Sequence, residues 1–320
     1  MITVLAGGVG AARFLRGLMQ VVPATEITAV VNTGDDTVMH GLYICPDLDT
    51  VTYTLAGAID PDRGWGLRNE SWRAMEALGR FVPVRPPNSL AAPTWFNLGD
   101  QDLATHFYRT ARLAEGATLT EITGEIAHAF GLHVRLLPMT DDRVETRVTV
   151  VDEGEISFQE YFVQRRHSVA VSSVRFVGAE SAALTGNAAR ALMGADAIVI
   201  APSNPLVSIG PLRALASVDR ALSARRKSVV AVSPIVGGAA LKGPADRMLE
   251  ELGHESTVVG VARLYAPIAS ALVIDPVDAH LADAVEAVGM RAIVVPSIMS
   301  TSEISATLAR TTLAAAGLIV

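Results

Sequence analysis

The chain has 320 residues, half of them hydrophobic, and its single cysteine, Cys45, excludes an internal disulfide and any metal site built from several cysteines. Its formal net charge of −7 argues against a broad surface for binding nucleic acid. We expect no membrane-spanning helix, because no apolar run of about 18 residues is free of charges and breakers. The first apolar run begins at Ile2, which leaves no room for a signal peptide and favours a cytoplasmic protein.

Short apolar runs recur along the chain and predict the strands of a parallel sheet that is covered on both faces. They are Ile2–Ala6, Ile27–Val31, Ala197–Ala201, Ser228–Val232, Ala271–Ile274 and Ala292–Val295. Helical patterns alternate with them at Ala11–Met19, Pro211–Arg225, Ala245–Leu252, Val277–Val288 and Ser302–Ala316. This alternation predicts a doubly wound, mainly parallel, Rossmann-like α/β sheet, with ligands beyond the carboxyl ends of its strands.

Residues 61–185 have less of this rhythm and contain all three tryptophans. Asp102–Leu113 and Leu119–Phe130 have helical patterns, and Val144–Val151 with Glu155–Phe162 predicts an antiparallel pair. We therefore expect a Rossmann-like nucleotide-binding core of residues 1–60 and 186–320, with a mixed α/β insertion, 61–185, packed over the active site.

A glycine-rich turn, Gly7-Gly8-Val9-Gly10, follows the first strand and favours an anion at the start of the next helix. The dinucleotide-binding pattern would need glycine where Arg13 stands, and an acidic residue where Asn32 ends the second strand. These two differences disfavour a nicotinamide-dependent dehydrogenase. Arg13 lies one turn into the predicted helix, where a guanidinium can reach a bound phosphate. The alternative is a tight turn that only lets helix and strand pack.

Four aspartates follow the second strand closely: Asp35, Asp36, Asp47 and Asp49. Carboxylates gathered at one strand end repel each other unless a cation lies between them, so the cluster favours a divalent metal. The alternative is that each is a solvated turn residue, with Asp49 capping a helix that begins at Thr50.

Polar loops also follow two later strands, at Ser203-Asn204-Pro205 through Gly210-Pro211 and at Ser233-Pro234-Ile235. Hydroxyls, an amide and a helix N-terminus suit a phosphate or a purine edge, although a structural turn is the alternative. In the insertion, Asp102 and His106 share a helix face, which taken alone favours a surface pair.

Taken in order, these motifs resemble those of the 2-phospho-L-lactate transferase family over nearly the whole chain. The matching stretches are Gly7-Gly8-x-Gly10, Asn32-Thr33-Gly34-Asp35-Asp36, Pro46-Asp47-Leu48-Asp49-Thr50, Leu98-Gly99-Asp100-x-Asp102-x-Ala104-Thr105-His106, Phe158-Gln159-Glu160, Pro202-Ser203-Asn204-Pro205-x-x-Ser208-Ile209-Gly210-Pro211 and Ser233-Pro234-Ile235. The run Asp60 to Gly66 and the Trp95-Phe96 pair look more like actinobacterial members, which use a phosphoenolpyruvyl donor.

The resemblance implies a cytoplasmic, homodimeric, Mg²⁺-dependent transferase of coenzyme F-420 biosynthesis. Such enzymes move a phosphoenolpyruvyl or 2-phospho-L-lactyl group from its diphospho-5'-guanosine conjugate to 7,8-didemethyl-8-hydroxy-5-deazariboflavin and release GMP. The product is dehydro coenzyme F-420-0 or coenzyme F-420-0, respectively. The insertion would contribute to the site for the deazaflavin acceptor.

The site residues follow from the resemblance and from the chemistry together. Asp35 and Asp49 are the predicted catalytic and metal-binding residues, with Asp49 either a metal ligand or the group that orients or deprotonates the alcohol. Substrate binding is assigned to Gly8, Gly10, Arg13, Asn32, Asp47, Thr50, Gln101, His106, Ser203, Asn204, Gly210 and Ser233.

One residue departs from the family pattern: Gln101 stands where many members carry arginine or lysine. A contact made by that cation would be neutral here, or would be made by Arg109 or Arg143. The alternative function is that of a nucleotide-sugar-binding regulatory protein, similar to the gluconeogenesis factors, which needs no deazaflavin pocket. The segments Trp95 to His106 and Phe158–Tyr161 favour the transferases.

Overall fold

A computed structural model of the chain describes residues 1–87, 89 and 91–319. Its strands are β1 Ile2–Ala6, β2 Ile27–Val31, β3 Thr37–Met39, β4 Leu42–Ile44, β5 Arg135–Pro138, β6 Glu145–Val150, β7 Gly154–Ser157, β8 Val171–Val177, β9 Ala197–Ile200, β10 Val229–Val232, β11 Ile235–Val236, β12 Ala239–Ala240, β13 Ala271–Ile274 and β14 Arg291–Val294. Its α-helices are α1 Gly8–Leu18, α2 Pro46–Leu55, α3 Arg73–Leu78, α4 Asp102–Ala114, α5 Leu119–Ala129, α6 Gly186–Gly194, α7 Gly210–Ala214, α8 Val218–Ala224, α9 Ala245–Glu251, α10 Val258–Tyr265, α11 Ala282–Ala287 and α12 Ser302–Ala315.

The central sheet has seven strands in the order β14-β13-β10-β9-β1-β2-β5, and every neighbouring pair is parallel. The chain builds β1, β2 and β5 toward one edge, then returns to the other side of β1 and builds β9, β10, β13 and β14 toward the opposite edge. The order therefore reverses between β1 and β9, and in open parallel sheets ligands bind beyond the carboxyl ends of the strands at such a point. The predicted doubly wound α/β fold is confirmed.

Helices cover both faces of this sheet, because alternate side chains of each buried strand point to opposite sides. Leu5 of β1 packs on the face that is covered by α6, α7, α8, α10 and α11. Val4 and Ala6 pack on the face that is covered by α1, α2 and α12. Two separate hydrophobic layers thus hold the carboxyl ends of the strands in register.

One strand of the central sheet comes from within residues 61–185. β5 pairs with β2, with Thr28 opposite Arg135 and Val31 opposite Pro138. Most of the remaining segment lies outside the sheet, including a three-stranded antiparallel sheet in the order β7-β6-β8. Val148 and Tyr161 of this part pack on Val207, in the loop after β9.

Several predicted elements differ in detail. The single helix expected over Pro211–Arg225 is two helices, α7 and α8, separated at Leu215–Ser217. The strand expected over Glu155–Phe162 ends at Ser157, and Glu160–Gln164 forms one turn of π-helix. A 3-10 helix, Pro276–Leu281, precedes α11 where one α-helix was expected. No helix in the described ranges combines the length and apolar composition that a bilayer crossing needs.

Candidate active site

The glycine turn after β1 lies against the loop after β9, at the reversal of the strand order. Gly8 adopts φ of 71°, a left-handed conformation that glycine adopts without strain, and α1 begins there. A Cβ on Gly10 would lie 2.0 Å from the carbonyl oxygen of Pro202, so only glycine fits at this position. The hydroxyl of Ser203 donates a hydrogen bond to the carbonyl oxygen of Gly7 at 2.8 Å. The two predicted phosphate loops therefore form one surface.

The acidic residues after β2 are attached to the same turn through Asp47. Asn32 Nδ2 donates a hydrogen bond to Asp47 Oδ2 at 3.0 Å, and Asn32 Oδ1 accepts one from the amide of Gly34 at 2.8 Å. A Cβ on Gly7 would lie 3.0 Å from Asp47 Oδ2. Asn32 thus joins the end of β2 to the start of α2.

The alternative in which Asp49 caps a helix beginning at Thr50 is wrong. Helix α2 begins at Pro46, and buried Cys45 is its N-cap residue, which places Asp47 and Asp49 in the first turn. Proline is favoured at that first position because its missing N–H would have no partner there anyway. The positive end of the helix dipole favours both carboxylates at this position.

Three of the aspartates are buried without a neutralising cation. Burial raises the pKa of Asp35 well above its usual range, and the charges of Asp47 and Asp36 raise it further. Burial also raises the pKa of Asp36 well above its usual range. Burial raises the pKa of Asp47 to about 6, although hydrogen bonds from Asn32 and from the backbone of Gly8 oppose the shift.

Asp35 and Asp36 carry oxygen atoms without a well-formed hydrogen bond, although Thr146 and Cys45 lie close enough to lower the pKa values of Asp35 and Asp36, respectively. Oδ1 of Asp35 and both carboxylate oxygens of Asp36 are buried without a hydrogen-bond partner among the described residues. The segment after β7 fixes the backbone here, since Gln159 Nε2 donates to the carbonyl oxygen of Asp35 at 2.8 Å. Buried carboxylate oxygens without donors fit a bound divalent cation, because oxygen ligands are what such ions prefer.

Asp49 has a different environment, because it forms an ion pair with Arg109 of α4. Arg109 Nη1 donates to Asp49 Oδ2 at 3.2 Å, and Nη2 donates to Asp49 Oδ1. The Arg109 side chain is only 2% exposed. Helix α4 is docked on β4, where Thr110 Oγ1 accepts a hydrogen bond from the amide of Tyr43 at 2.8 Å. The charge of Asp49 is therefore neutralised by another side chain of the protein, Arg109.

His106 links this ion pair to Asp102. Its Nδ1 lies 3.3 Å from Arg109 Nη1, and since a guanidinium can only donate, Nδ1 is the acceptor and the proton lies on Nε2. Nε2 is 3.2 Å from Asp102 Oδ2, although the contact is too bent for a good hydrogen bond. Tyr53 donates to Asp102 Oδ1 at 2.6 Å. The His106 side chain is 1% exposed, so the expectation of a surface pair is wrong.

The pKa values in this group reflect the same contacts. Burial alone would raise the pKa of Asp102, but the contacts with His106, Tyr53 and Arg109 outweigh it and hold the pKa below its usual value. Burial raises the pKa of Tyr53 well above its usual range, and the charges of Asp49 and Asp102 raise it further. Tyr53 therefore remains a hydrogen-bond donor.

Other predicted residues make mainly local contacts. Gln101 Nε2 donates to the carbonyl oxygen of Asn69 at 3.0 Å, so its side chain fixes the neighbouring loop. Asn204 Oδ1 accepts from the amide of Leu206 at 2.9 Å, and Ser233 Oγ donates to the carbonyl oxygen of Ile235 at 2.9 Å. Each of these two side chains shapes the turn after its strand.

The last three predicted residues lie on helices. Gly210 is the first residue of α7, where a Cβ would lie 2.8 Å from the ring of Phe176. Arg13 of α1 and Thr50 of α2 are half-buried. Within the described ranges, Arg13 forms neither an ion pair nor a side-chain hydrogen bond, which leaves its guanidinium available to a ligand.

The sequence was also compared with known families. The model of the family described as 2-phospho-L-lactate transferase CofD matches residues 2–308. The chain belongs to this family. It is a transferase of coenzyme F-420 biosynthesis, and the nucleotide-sugar-binding regulatory alternative is not favoured.

Relatives named phosphoenolpyruvate transferase match the chain over most of its length. The protein of Streptomyces griseus is 44% identical over 313 residues, covering 97% of this chain and 96% of its own. That of Mycobacterium avium is 45% identical over 288 residues, covering 82% of this chain and 83% of its own.

A solved structure supports the fold. A UPF0052 family protein from Bacillus halodurans superposes with a TM-score of 0.58 at 14% sequence identity, covering 96% of this chain and 98% of that one.

Sequence reasoning named Arg109 only as a possible replacement for the cation missing at position 101, and it assigned no site role to Tyr53. A signal for Arg109 existed, since Asp102, His106 and Arg109 are spaced to lie on one face of a helix. Asp49, Asp102 and His106 each offer an atom within 4.8 Å of the others, so this triad can hold a divalent metal. In the described structure Arg109 already supplies the positive charge next to Asp49.

Proposed function

We propose that this protein transfers a phosphoenolpyruvyl group from its diphospho-5'-guanosine conjugate to 7,8-didemethyl-8-hydroxy-5-deazariboflavin, giving dehydro coenzyme F-420-0 and GMP. The observation that carries the chemistry is the set of buried, unsatisfied oxygens of Asp35 and Asp36, which lie close to Asp47 and to the start of α1. The observation that favours the enolpyruvyl donor is the naming of the actinobacterial relatives.

The donor phosphates fit the surface formed by the two loops at the reversal of the strand order. At the start of α1, the amide of Gly10 has no intrahelical partner and favours an anion, whereas the amide of Gly8 donates to Asp47 and holds that carboxylate beside the same turn. Arg13 lies one turn further along the same helix. We assign the guanosine part of the donor to Ser203, Asn204, Gly210 and Ser233. The side-chain hydrogen bonds of the two serines and of Asn204 hold the backbone of these loops in place.

The unsatisfied carboxylate oxygens fit a Mg²⁺ ion, and Asp35 and Asp49 are the residues that we assign to hold it. When bound, this ion neutralises charge on the phosphate oxygens during transfer. Asp49 can take part although it pairs with Arg109. A carboxylate has about four lone-pair positions, and the two hydrogen bonds from Arg109 leave positions free on both oxygens.

The acceptor hydroxyl attacks the phosphorus that bears the enolpyruvyl group, and the bond from this phosphorus to the GMP oxygen breaks. Asp49 orients that hydroxyl by accepting its hydrogen bond, and the hydroxyl proton leaves to a carboxylate of the acidic group. A strong base is not required, because phosphoryl transfer depends mainly on positioning and charge stabilisation. His106 is buried and its Nδ1 accepts from Arg109, so we assign it to holding this wall of the acceptor site. Thr50 and Gln101 lie nearby in sequence and remain assigned to the same site.

The decisive experiment is mass spectrometry of the product formed by purified protein, the deazaflavin alcohol, Mg²⁺ and each synthetic donor. The enolpyruvyl product is lighter than the lactyl product by two hydrogen atoms. We expect the lighter product. The heavier product alone would refute the donor assignment, and no transfer from either donor would refute the function.

The family resemblance also leads us to propose a cytoplasmic homodimer, with residues 61–185 contributing to the deazaflavin site. Light scattering on the purified protein tests the oligomeric state, and a monomer mass at working concentration would refute the dimer. Deazaflavin binding that survives substitutions in the 61–185 segment would refute the role of that segment.

A further inference from the structure

A fully buried arginine joins α4 to the acidic turn of α2. Arg109 donates through two nitrogens to the two oxygens of Asp49, and Nη1 also lies 3.4 Å from the carbonyl oxygen of Tyr43. A planar guanidinium fixes a carboxylate in one plane and one direction, which a lysine ammonium does not do. The orientation of Asp49 is therefore set by α4.

The arginine is in turn held from the other side. His106 Nδ1 accepts from Arg109, His106 Nε2 lies 3.2 Å from Asp102 Oδ2, and Asp102 in turn accepts a hydrogen bond from Tyr53. Tyr53 is itself on α2, and its hydroxyl oxygen accepts a hydrogen bond from Thr105 Oγ1 at 2.9 Å. The contacts thus lead from Asp49 of α2 through three side chains of α4 and return to α2 at Tyr53.

A buried ion pair is weak evidence for stability, because well-packed apolar side chains in its place are often as stable or more so. A pair placed beside unsatisfied carboxylates is better explained by the charge and orientation that it imposes there. Asp49 is also one of the two residues that we assign to the metal, and Arg109 contacts both of its carboxylate oxygens. The positive charge of Arg109 therefore lies directly against the part of the cluster that would hold a cation.

We propose that Arg109 is a positioning residue with two effects: it orients Asp49 toward the acceptor hydroxyl, and it reduces the attraction of the cluster for a divalent cation. This inference rests on the proposed function, in which Asp49 orients the acceptor. It predicts that loss of the arginine slows transfer and, at the same time, tightens cation binding. A purely structural role predicts slower transfer with weaker cation binding.

The cation test uses Mn²⁺ alone as the probe, followed by electron paramagnetic resonance in the absence of substrates. Arg109→Gln removes the charge, and we expect Mn²⁺ to bind about tenfold more tightly. Arg109→Lys keeps the charge, and we expect wild-type Mn²⁺ affinity within about twofold. Weaker binding by both variants, or equal binding by all three proteins, would overturn the proposal. Circular dichroism checks that each variant is folded, and if Arg109→Gln does not fold, Arg109→Met, which also removes the charge, takes its place.

The kinetic test compares wild type, Asp49→Asn, Arg109→Lys and the double variant. Misplacing a reacting group by about 1 Å can slow a reaction about 100-fold, so we expect Arg109→Lys to lower kcat by about 10- to 100-fold with the KM for the guanosine donor unchanged. The double variant should be no slower than Asp49→Asn, because Arg109 acts through Asp49.

The outcomes separate this inference from the proposed function. The positioning role would be overturned if the kcat of the double variant were lower than that of Asp49→Asn by the factor that Arg109→Lys loses alone, or if Arg109→Lys kept the wild-type kcat. Either result would leave the transferase assignment standing. No transfer by the wild-type protein would overturn the assignment, while the Mn²⁺ titration would still decide whether Arg109 sets cation affinity.

Discussion

Asp47 offers a direct test of whether the buried charges of the acidic cluster lower the free energy of unfolding when no cation is bound. Its side chain is 8% exposed, and burial raises its pKa from 3.8 to about 6. The folded protein therefore binds the Asp47 proton more tightly than the unfolded chain does. For a carboxyl group whose pKa is raised on folding, the penalty is small below the unfolded pKa, grows between the two pKa values and is constant above the folded one.

The size of the effect follows from these two pKa values. A shift of about 2 units is worth about 3 kcal/mol, since each unit is worth about 1.4 kcal/mol. The destabilisation of the wild type by this group is less than about 1 kcal/mol at pH 4 and about 3 kcal/mol at pH 8. Asp47→Asn keeps the shape and an oxygen that can accept from Asn32, so we expect the variant to be more stable than wild type by about 2–3 kcal/mol at pH 8.

The assay is urea denaturation of both proteins at several pH values between 4 and 8, in buffer with a chelator. Asp62→Asn, which alters an exposed carboxylate, is the matched control and should change stability by less than about 0.5 kcal/mol. Adding Mg²⁺ should stabilise wild type more than Asp47→Asn, because the ion binds the folded charged cluster. A variant that is less stable than wild type at pH 8 without metal, or a difference independent of pH, would refute the reasoning.

Three further substitutions test the rest of the site. Asp49→Ala is expected to abolish transfer with an unchanged circular dichroism spectrum, and full activity would remove Asp49 from the mechanism. Gly10→Ala places a Cβ 2.0 Å from the Pro202 carbonyl oxygen and should destabilise the protein by about 2–4 kcal/mol in urea. The control is Gly124→Ala, at an exposed position of α5 where a new Cβ would have no neighbour within 4 Å. We expect it to raise the free energy of unfolding by about 0.5–1 kcal/mol. Similar effects of the two substitutions would contradict the close contact at Gly10. Ser203→Ala removes the hydrogen bond to Gly7 and should raise the KM for the guanosine donor several-fold with little change in kcat; an unchanged KM would count against this wall as the donor site.

The sheet was largely predictable because its strands are apolar on both faces. β1 and β2 are buried at every residue, and buried strands between helical patterns have few alternative folds. β5 was not predicted, since Leu136-Leu137-Pro138 is short and lies in a segment without the strand–helix rhythm. Its pairing with β2 depends on tertiary contacts that a local pattern does not carry. The break between α7 and α8 was missed for a similar reason, because residues 215–217 contain neither glycine nor proline.

The candidate site was predictable in its composition but not in its charge pairing. Clustered aspartates after β2 indicate that repulsion must be relieved, and the spacing of Asp102, His106 and Arg109 indicates a shared helix face. Nothing in the sequence says that α4 docks on β4 and α2, which is what brings Arg109 to Asp49. The sequence could therefore not tell which carboxylate is neutralised by the chain itself.

That division of the cluster has a chemical consequence. Asp49 is paired with a fixed guanidinium, so its charge and direction are defined before any ligand binds. Asp35 and Asp36 have raised pKa values and unsatisfied oxygens, so their charges are relieved either by a proton or by a bound cation. In the mechanism that we propose, a transferase that brings a highly charged donor next to a neutral alcohol gains from this arrangement. Asp49 keeps its direction for the acceptor hydroxyl while it shares the cation with Asp35, whose uncompensated charge attracts the ion that neutralises the donor phosphates.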